Sequence, residues 1–208
     1  VDVERFAPDQ DRRNQVRKRL GITEDEFVVL LVGMMTRQKG MHLGIEAFGQ
    51  LARRLPGLRL LVVGSGPEEG SLRVLATASP LGSRIEFVGA VPHSEMPGYF
   101  NASDLFLHPS LRAEGLPTVI IEAMASGLPV VATDTGGTST AVIDGRTGIL
   151  VPKGDVGRLT AAVEALVADR SQAVRLAVEG LRLARERFAW SRIVDRLLAD
   201  LRKLGSGR

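Results

Sequence analysis

The sequence predicts an α/β fold: a parallel sheet of about six strands with helices on both faces. Three observations predict it. Short apolar, β-branched runs alternate with longer stretches of helical period along the whole chain. The short runs are apolar throughout rather than alternating, as strands are when both faces of a sheet are covered. Most of them end at glycine or at a small polar turn residue.

The elements follow in order. FVVLLVG (27–33) reads as the first strand. MHLGIEAFGQLARRL (41–55) reads as a helix with Leu43, Ala47, Phe48, Leu51 and Leu55 on one face. LRLLVVG (58–64) is the second strand, and PEEGSLRVLATAS (67–79) a helix with Pro67 near its start. IEFVG (85–89) is the third strand, HSEMPGYFNAS (93–103) a short helix, and LFLHPS (105–110) the fourth strand. LPTVIIEAMASG (116–127) is a helix ending on Gly127, a favoured C-terminal cap. PVVAT (129–133) and GILVP (148–152) are the fifth and sixth strands. DVGRLTAAVEALVADR (155–170) is a helix that Asp155 caps, and helical stretches over 171–188 and 191–204 complete the chain. The arrangement is Rossmann-like, one domain over 1–208.

Composition excludes several classes. The chain has 208 residues, enough for one well-buried α/β domain. It has no cysteine, which removes disulfides, thiolate metal sites and a cysteine nucleophile, and fits a cytoplasmic protein. A net charge of +3 with one Trp and one Tyr does not point to nucleic acid. The longest apolar run, 27–35, is too short to span a bilayer. The opening VDVERFAPDQ reads as the end of a linker and KLGSGR as a small flexible tail, so a piece of a longer protein is expected.

Ligands of such sheets lie outside the carboxyl ends of the strands. After the first strand, GMMTRQKG places Gly33, Arg37 and Lys39 ahead of a helix N-terminus, which suits phosphate. A basic surface turn reads equally well there. After the second strand, GSGPEEG has glycines at 64, 66 and 70, which is not the dinucleotide spacing, so a tight turn is the better reading. After the fifth, the Gly136–Gly137 pair reads as a loop meeting a ligand or as a plain turn. After the fourth comes HPSLRAEGLP, with Glu114 before a helix and Glu122 within it. Glu122 follows VII and precedes AMA on a helix that otherwise reads as buried. An unpaired buried carboxylate is expensive, so Glu122 is expected to face a cleft, a cation or a polar ligand. At ~1.5 Å per residue the eight-residue separation spans roughly 12 Å, too long for the paired carboxyls of a glycoside hydrolase. It suits gripping two ends of one extended ligand, with phosphate held by amides around 115–118. His42, His93 and His108 lie on separate segments and read as structural, and no metal site is expected.

VGMMTRQKG, LRLLVVGSGP, IEFVGAV, HPSLRAEGLPTVIIEAMASGLPVVATDTGG and DGRTGILVPKGD together resemble the donor-binding half of retaining glycosyltransferases of the GT-B fold, the glycosyl transferases group 1 class. The resemblance covers the chain to about Leu204. It implies transfer of a hexosyl group from a nucleotide diphosphate sugar to a hydroxyl acceptor, with retention of anomeric configuration. It implies that Glu114 contacts the donor sugar and Glu122 the ribose hydroxyls. It implies that Lys39 neutralises the diphosphate, that amides near Leu116, Pro117 and Thr118 also hold phosphate, and that Gly33, Met34, Val91 and Gly115 are donor-binding. Phe87 to Val91 would lie on the base. No metal or other cofactor is implied, because cations and helix dipoles stabilise the leaving diphosphate. Met34 stands where the family usually has an arginine, with Arg37 as a stand-in, and Thr140 stands where it usually has a glutamate. The segment 1–20 matches the linker into the second domain, and 189–208, around Trp190, the helix that crosses back. The partner implied is an acceptor-binding domain absent from this sequence, which would also set any peripheral membrane contact. Two other readings stand beside this one. One is a non-catalytic nucleotide-sugar binding module, which Met34 and Thr140 favour. The other is half of a nucleotide-sugar epimerase or hydrolase, for which no acid–base dyad stands out.

Overall fold

The structure is a computed structural model that describes residues 1–77, 82–113 and 115–205. Among the described residues six strands form one sheet: β1 (Phe27–Val32), β2 (Leu58–Val63), β3 (Ile85–Gly89), β4 (Leu105–His108), β5 (Val130–Thr133) and β6 (Ile149–Val151). Their order is β3-β2-β1-β4-β5-β6 and every pairing is parallel. β1 therefore pairs with β2 on one side and with β4 on the other, and the direction of winding reverses between β1 and β4. That reversal opens a crevice at the carboxyl ends of the two strands.

The continuous apolar runs divide residue by residue between two cores, because successive side chains leave a strand on opposite faces. Val29, Leu31, Leu60, Val62, Leu105, Leu107 and Val131 lie in one core. It is covered by α2 (Met41–Ala52), α3 (Glu69–Thr77), α7 (Val156–Ala168) and the first part of α8 (Arg170–Leu183). Val28, Leu30, Leu61, Val63, Phe106, Val130 and Ala132 lie in the other. It is covered by α1 (Gln10–Arg19), α4 (Met96–Ala102), α5 (Thr118–Ala125) and α6 (Thr138–Ala141), with Leu183 at the end of α8 and Phe188 from the π-helical turn that follows it. Fully burying one such aliphatic side chain is worth roughly 1.5–3 kcal/mol, so the two cores dominate stability.

The linker segment 1–20 is folded onto the domain. Within it α1 has almost no apolar face; its buried residues are Val16 and Arg17. Its signals are polar: Asp9 caps it by accepting from the Arg12 amide at 3.0 Å, and three cations fill its last turn. A reading by apolar period passes over such a helix. It is anchored by charge instead. The buried Arg17 guanidinium donates to the carbonyls of Ala102 at 3.0 Å and Glu26 at 2.7 Å, and to Asp104 Oδ2 at 3.4 Å. Arg13 takes Asp104 Oδ1 at 2.8 Å, and Oδ2 also accepts from the Val28 amide at 2.8 Å. Asp104 thus ties α1 to the starts of β1 and β4.

The last helix, α9 (Trp190–Gly205), is different. Trp190, Val194, Leu197 and Leu201 recur at helical spacing and all are exposed. No helix among the described residues is long and apolar enough to cross a membrane.

Candidate functional site

The carboxyl end of β1 continues into Gly33 and Met34, and the end of β2 into Gly64. Gly64 has φ +133, and a Cβ there would stand 1.9 Å from the Gly33 carbonyl oxygen. Only glycine lets the two strand ends lie backbone on backbone at this point. Chain after Met34 runs into a short 3-10 turn, Arg37–Lys39, closed by Gly40 at φ +65. A Cβ on Gly40 would stand 1.9 Å from the Pro109 carbonyl oxygen. The turn is thereby pressed against the end of β4. The Gln38 carbonyl fastens it by accepting from the amides of Leu111 at 2.8 Å and Arg112 at 3.2 Å.

The geometry brings Lys39 to the mouth of the β1–β4 crevice. A cleft of about 340 Å³ there is lined by Val32, Gly33, Met34, Lys39, His93, Met96, Pro117, Thr118, Val119 and Glu122. That volume suits a small molecule. A larger hollow of about 560 Å³ lies at the opposite, amino-terminal edge of the sheet, beside Phe27, Asp104, Pro129 and Arg170. Chemistry decides between them: the smaller cleft has the strand carboxyl ends, a lysine and a helix N-terminus together.

That helix is α5. Its N-cap is Pro117, which makes no side-chain cap, so the first-turn amides are not satisfied by a capping side chain. Such a terminus is a site for an anion. Glu122 lies one turn further along, with its side chain 13% exposed, and Oε1 is 3.0 Å from His93 Nε2. Its expected position facing a cleft is what the structure shows.

Of the residues the sequence singled out, Gly33, Met34, Lys39, Pro117, Thr118 and Glu122 meet in this cleft. Met34 is 63% exposed there. Arg37 is exposed and does not line it; its charge falls on His42, whose imidazole is held below its ordinary value first by burial and then by Arg37. Gly115 and Leu116 are exposed beside the α5 N-terminus without lining the cleft, and Val91 is half-buried against the second core. Glu114 lies outside the described residues. Thr140 sits exposed in α6. His93 is expected from the sequence to be structural and instead joins the site, with its side chain 61% exposed. One signal points to it in the sequence: His93 follows the carboxyl end of the third strand, where ligands of parallel sheets lie. Among the described residues no group of three or more acidic or histidine side chains is placed to hold a metal.

The profile of the family described as "Glycosyl transferases group 1" matches residues 12–181, and the chain belongs to that family. It is 37% identical over 196 residues to the GDP-mannose-dependent alpha-(1-6)-phosphatidylinositol monomannoside mannosyltransferase of Mycolicibacterium smegmatis, covering 91% of this chain and 51% of the relative. It is 37% identical over 216 aligned residues to the D-inositol 3-phosphate glycosyltransferase 1 of Catenulispora acidiphila, covering 100% of this chain and 51% of the relative. The crystal structure of Anabaena Alr3699/HepE in complex with UDP superposes with a TM-score of 0.90 at 26% identity, over 98% of this chain and 56% of that one. The chain thus spans about half the length of the curated relatives it matches. Its sheet is the Rossmann-like unit of a GT-B glycosyltransferase.

Proposed function

We propose that this chain is the donor-binding half of a retaining hexosyltransferase that uses a nucleotide diphosphate sugar. The observation that carries the proposal is the meeting of Lys39, the α5 N-terminus and Glu122 in one cleft at the switch point of the sheet. In the transfer, the bond between the anomeric carbon and the β-phosphate oxygen breaks, and charge develops on the departing diphosphate. The acceptor hydroxyl forms the new bond to that carbon and passes its proton to the oxygen of the departing diphosphate. Lys39 and the α5 amides meet the developing charge, and Glu122 accepts from the ribose hydroxyls. The donor sugar itself falls to Glu114, on the resemblance alone. The relative named as GDP-mannose-dependent and the structural neighbour holding UDP support a nucleotide sugar as donor.

Titration calorimetry of the 208-residue chain with UDP, GDP and ADP tests this. Saturable binding of one diphosphate is expected, and the preferred base is read from the same experiment. Binding of none of them would count against the assignment. Met34 favours a second reading, a module that binds a nucleotide sugar without turnover. It predicts the same binding with no transfer by the full-length parent.

The complete enzyme carries an acceptor-binding half, and we assign the apolar stripe of α9 as a surface it covers. Amides 190–203 are expected to exchange hydrogen more slowly in the full-length protein than in this chain. Equal exchange would remove α9 from the interface.

A further inference from the structure

Resting on the donor-site reading, we infer that His93 is a positioning residue of the nucleotide site. It holds the Glu122 carboxylate by one oxygen so that the other is presented to the ligand hydroxyls. Glu122 stands on α5 and His93 on the loop between β3 and α4, 29 residues apart in sequence, and they meet at 3.0 Å inside the cleft. A free glutamate side chain on a helix samples several rotamers, and fixing one of them costs free energy at the moment of binding. A partner that has already fixed it removes that cost. One hydrogen bond occupies one carboxylate oxygen, and the second remains able to accept two more.

The His93 ring is itself well placed to serve as the fixed point. Its backbone lies in a turn closed by the Glu95 amide donating to the Pro92 carbonyl at 2.8 Å, immediately before α4. Its ring leans on Phe6, with centroids 5.4 Å apart. Phe6 is buried, and from it an aromatic row runs through Phe100 to Phe106 of β4, each step 5.8 Å. His93 is thus braced from the core on one side and bonded to Glu122 on the other. Exposure of most of its side chain argues against a packing role, since little would be lost from the core by removing it.

The test is a set of calorimetric titrations with whichever of UDP, GDP and ADP the wild-type chain binds. His93→Ala is expected to weaken binding about tenfold, or ~1.4 kcal/mol. His93→Gln, which keeps a donor at similar reach, is expected to stay within about threefold of wild type. Glu122→Gln retains an acceptor oxygen, and in that background His93→Ala is expected to change affinity by less than about twofold, because the bond it removes has lost its charge. Thermal melts of all variants should agree. Undiminished affinity in His93→Ala, or equal losses in the two backgrounds, overturns the inference. Failure of the wild-type chain to bind any of the three counts against the donor-site reading instead. A second measurement then decides on His93 without any ligand: its ring nitrogen chemical shifts are expected to move on Glu122→Gln, and unchanged shifts overturn the pairing.

Discussion

Lys39→Ala is expected to weaken binding of the preferred nucleoside diphosphate to this chain by about 10- to 100-fold. The lysine is the cation in the lining of the cleft, and a hydrogen bond to a charged group is worth ~1.5–3 kcal/mol. In the full-length parent the same substitution should lower kcat by about 100- to 1000-fold, the range found when one preorganised donor to a developing charge is lost. On the proposed function the effect on turnover is the larger one, because a diphosphate gains charge as it leaves and the lysine would then hold the transition state more strongly than the bound donor. Calorimetry and steady-state kinetics measure the two effects. Arg37→Ala is the matched control, since Arg37 does not line the cleft. An Arg37 variant as damaged as the Lys39 variant would show that the exposed arginine has taken over the diphosphate.

Gly64→Ala is expected to destabilise the fold by about 3–5 kcal/mol in urea unfolding, the sum of a steric clash and a strained backbone. The added Cβ would stand 1.9 Å from the Gly33 carbonyl oxygen and 2.9 Å from its carbonyl carbon, and backbone cannot swing aside as a side chain can. Gly70→Ala provides the contrast. No atom lies within 4 Å of the place its Cβ would take, and Gly70 belongs to α3, so alanine there should be neutral or stabilise by up to ~1 kcal/mol. Equal stabilities for the two variants would mean that the strand ends are free to separate.

The strands were legible because their apolar runs are long and bounded by turn residues, and each lies within a residue or two of where the pattern placed it. Helices that cover an apolar face were legible for the same reason. α1 was not, because it is held by Arg17 and Arg13 on Asp104, and ion pairs across about 90 residues leave no local period. The helix read over 41–55 stops at Ala52, ahead of Pro56, whose ring disfavours helix in the residue before it. At the site, Glu122 announced itself as an acid inside an apolar helix, and Lys39 as a cation at a strand end. His93 is marked only by its place after a strand. Its partner comes from the fold, which carries the end of β3 across two strands' width to a helix from the other half of the sheet.

The close stacking of glycine backbone under the cleft has a consequence for how this site can change over evolutionary time. Gly40 and Gly64 leave no room for a side chain, so the backbone packed behind Gly33 and Lys39 is closed to variation by single substitution. The lining is open: Met34 and His93 both stand exposed in it. On the donor-site reading, drift in which base or sugar is accepted has these side chains to act on, while the glycine backbone beneath them tolerates no added side chain.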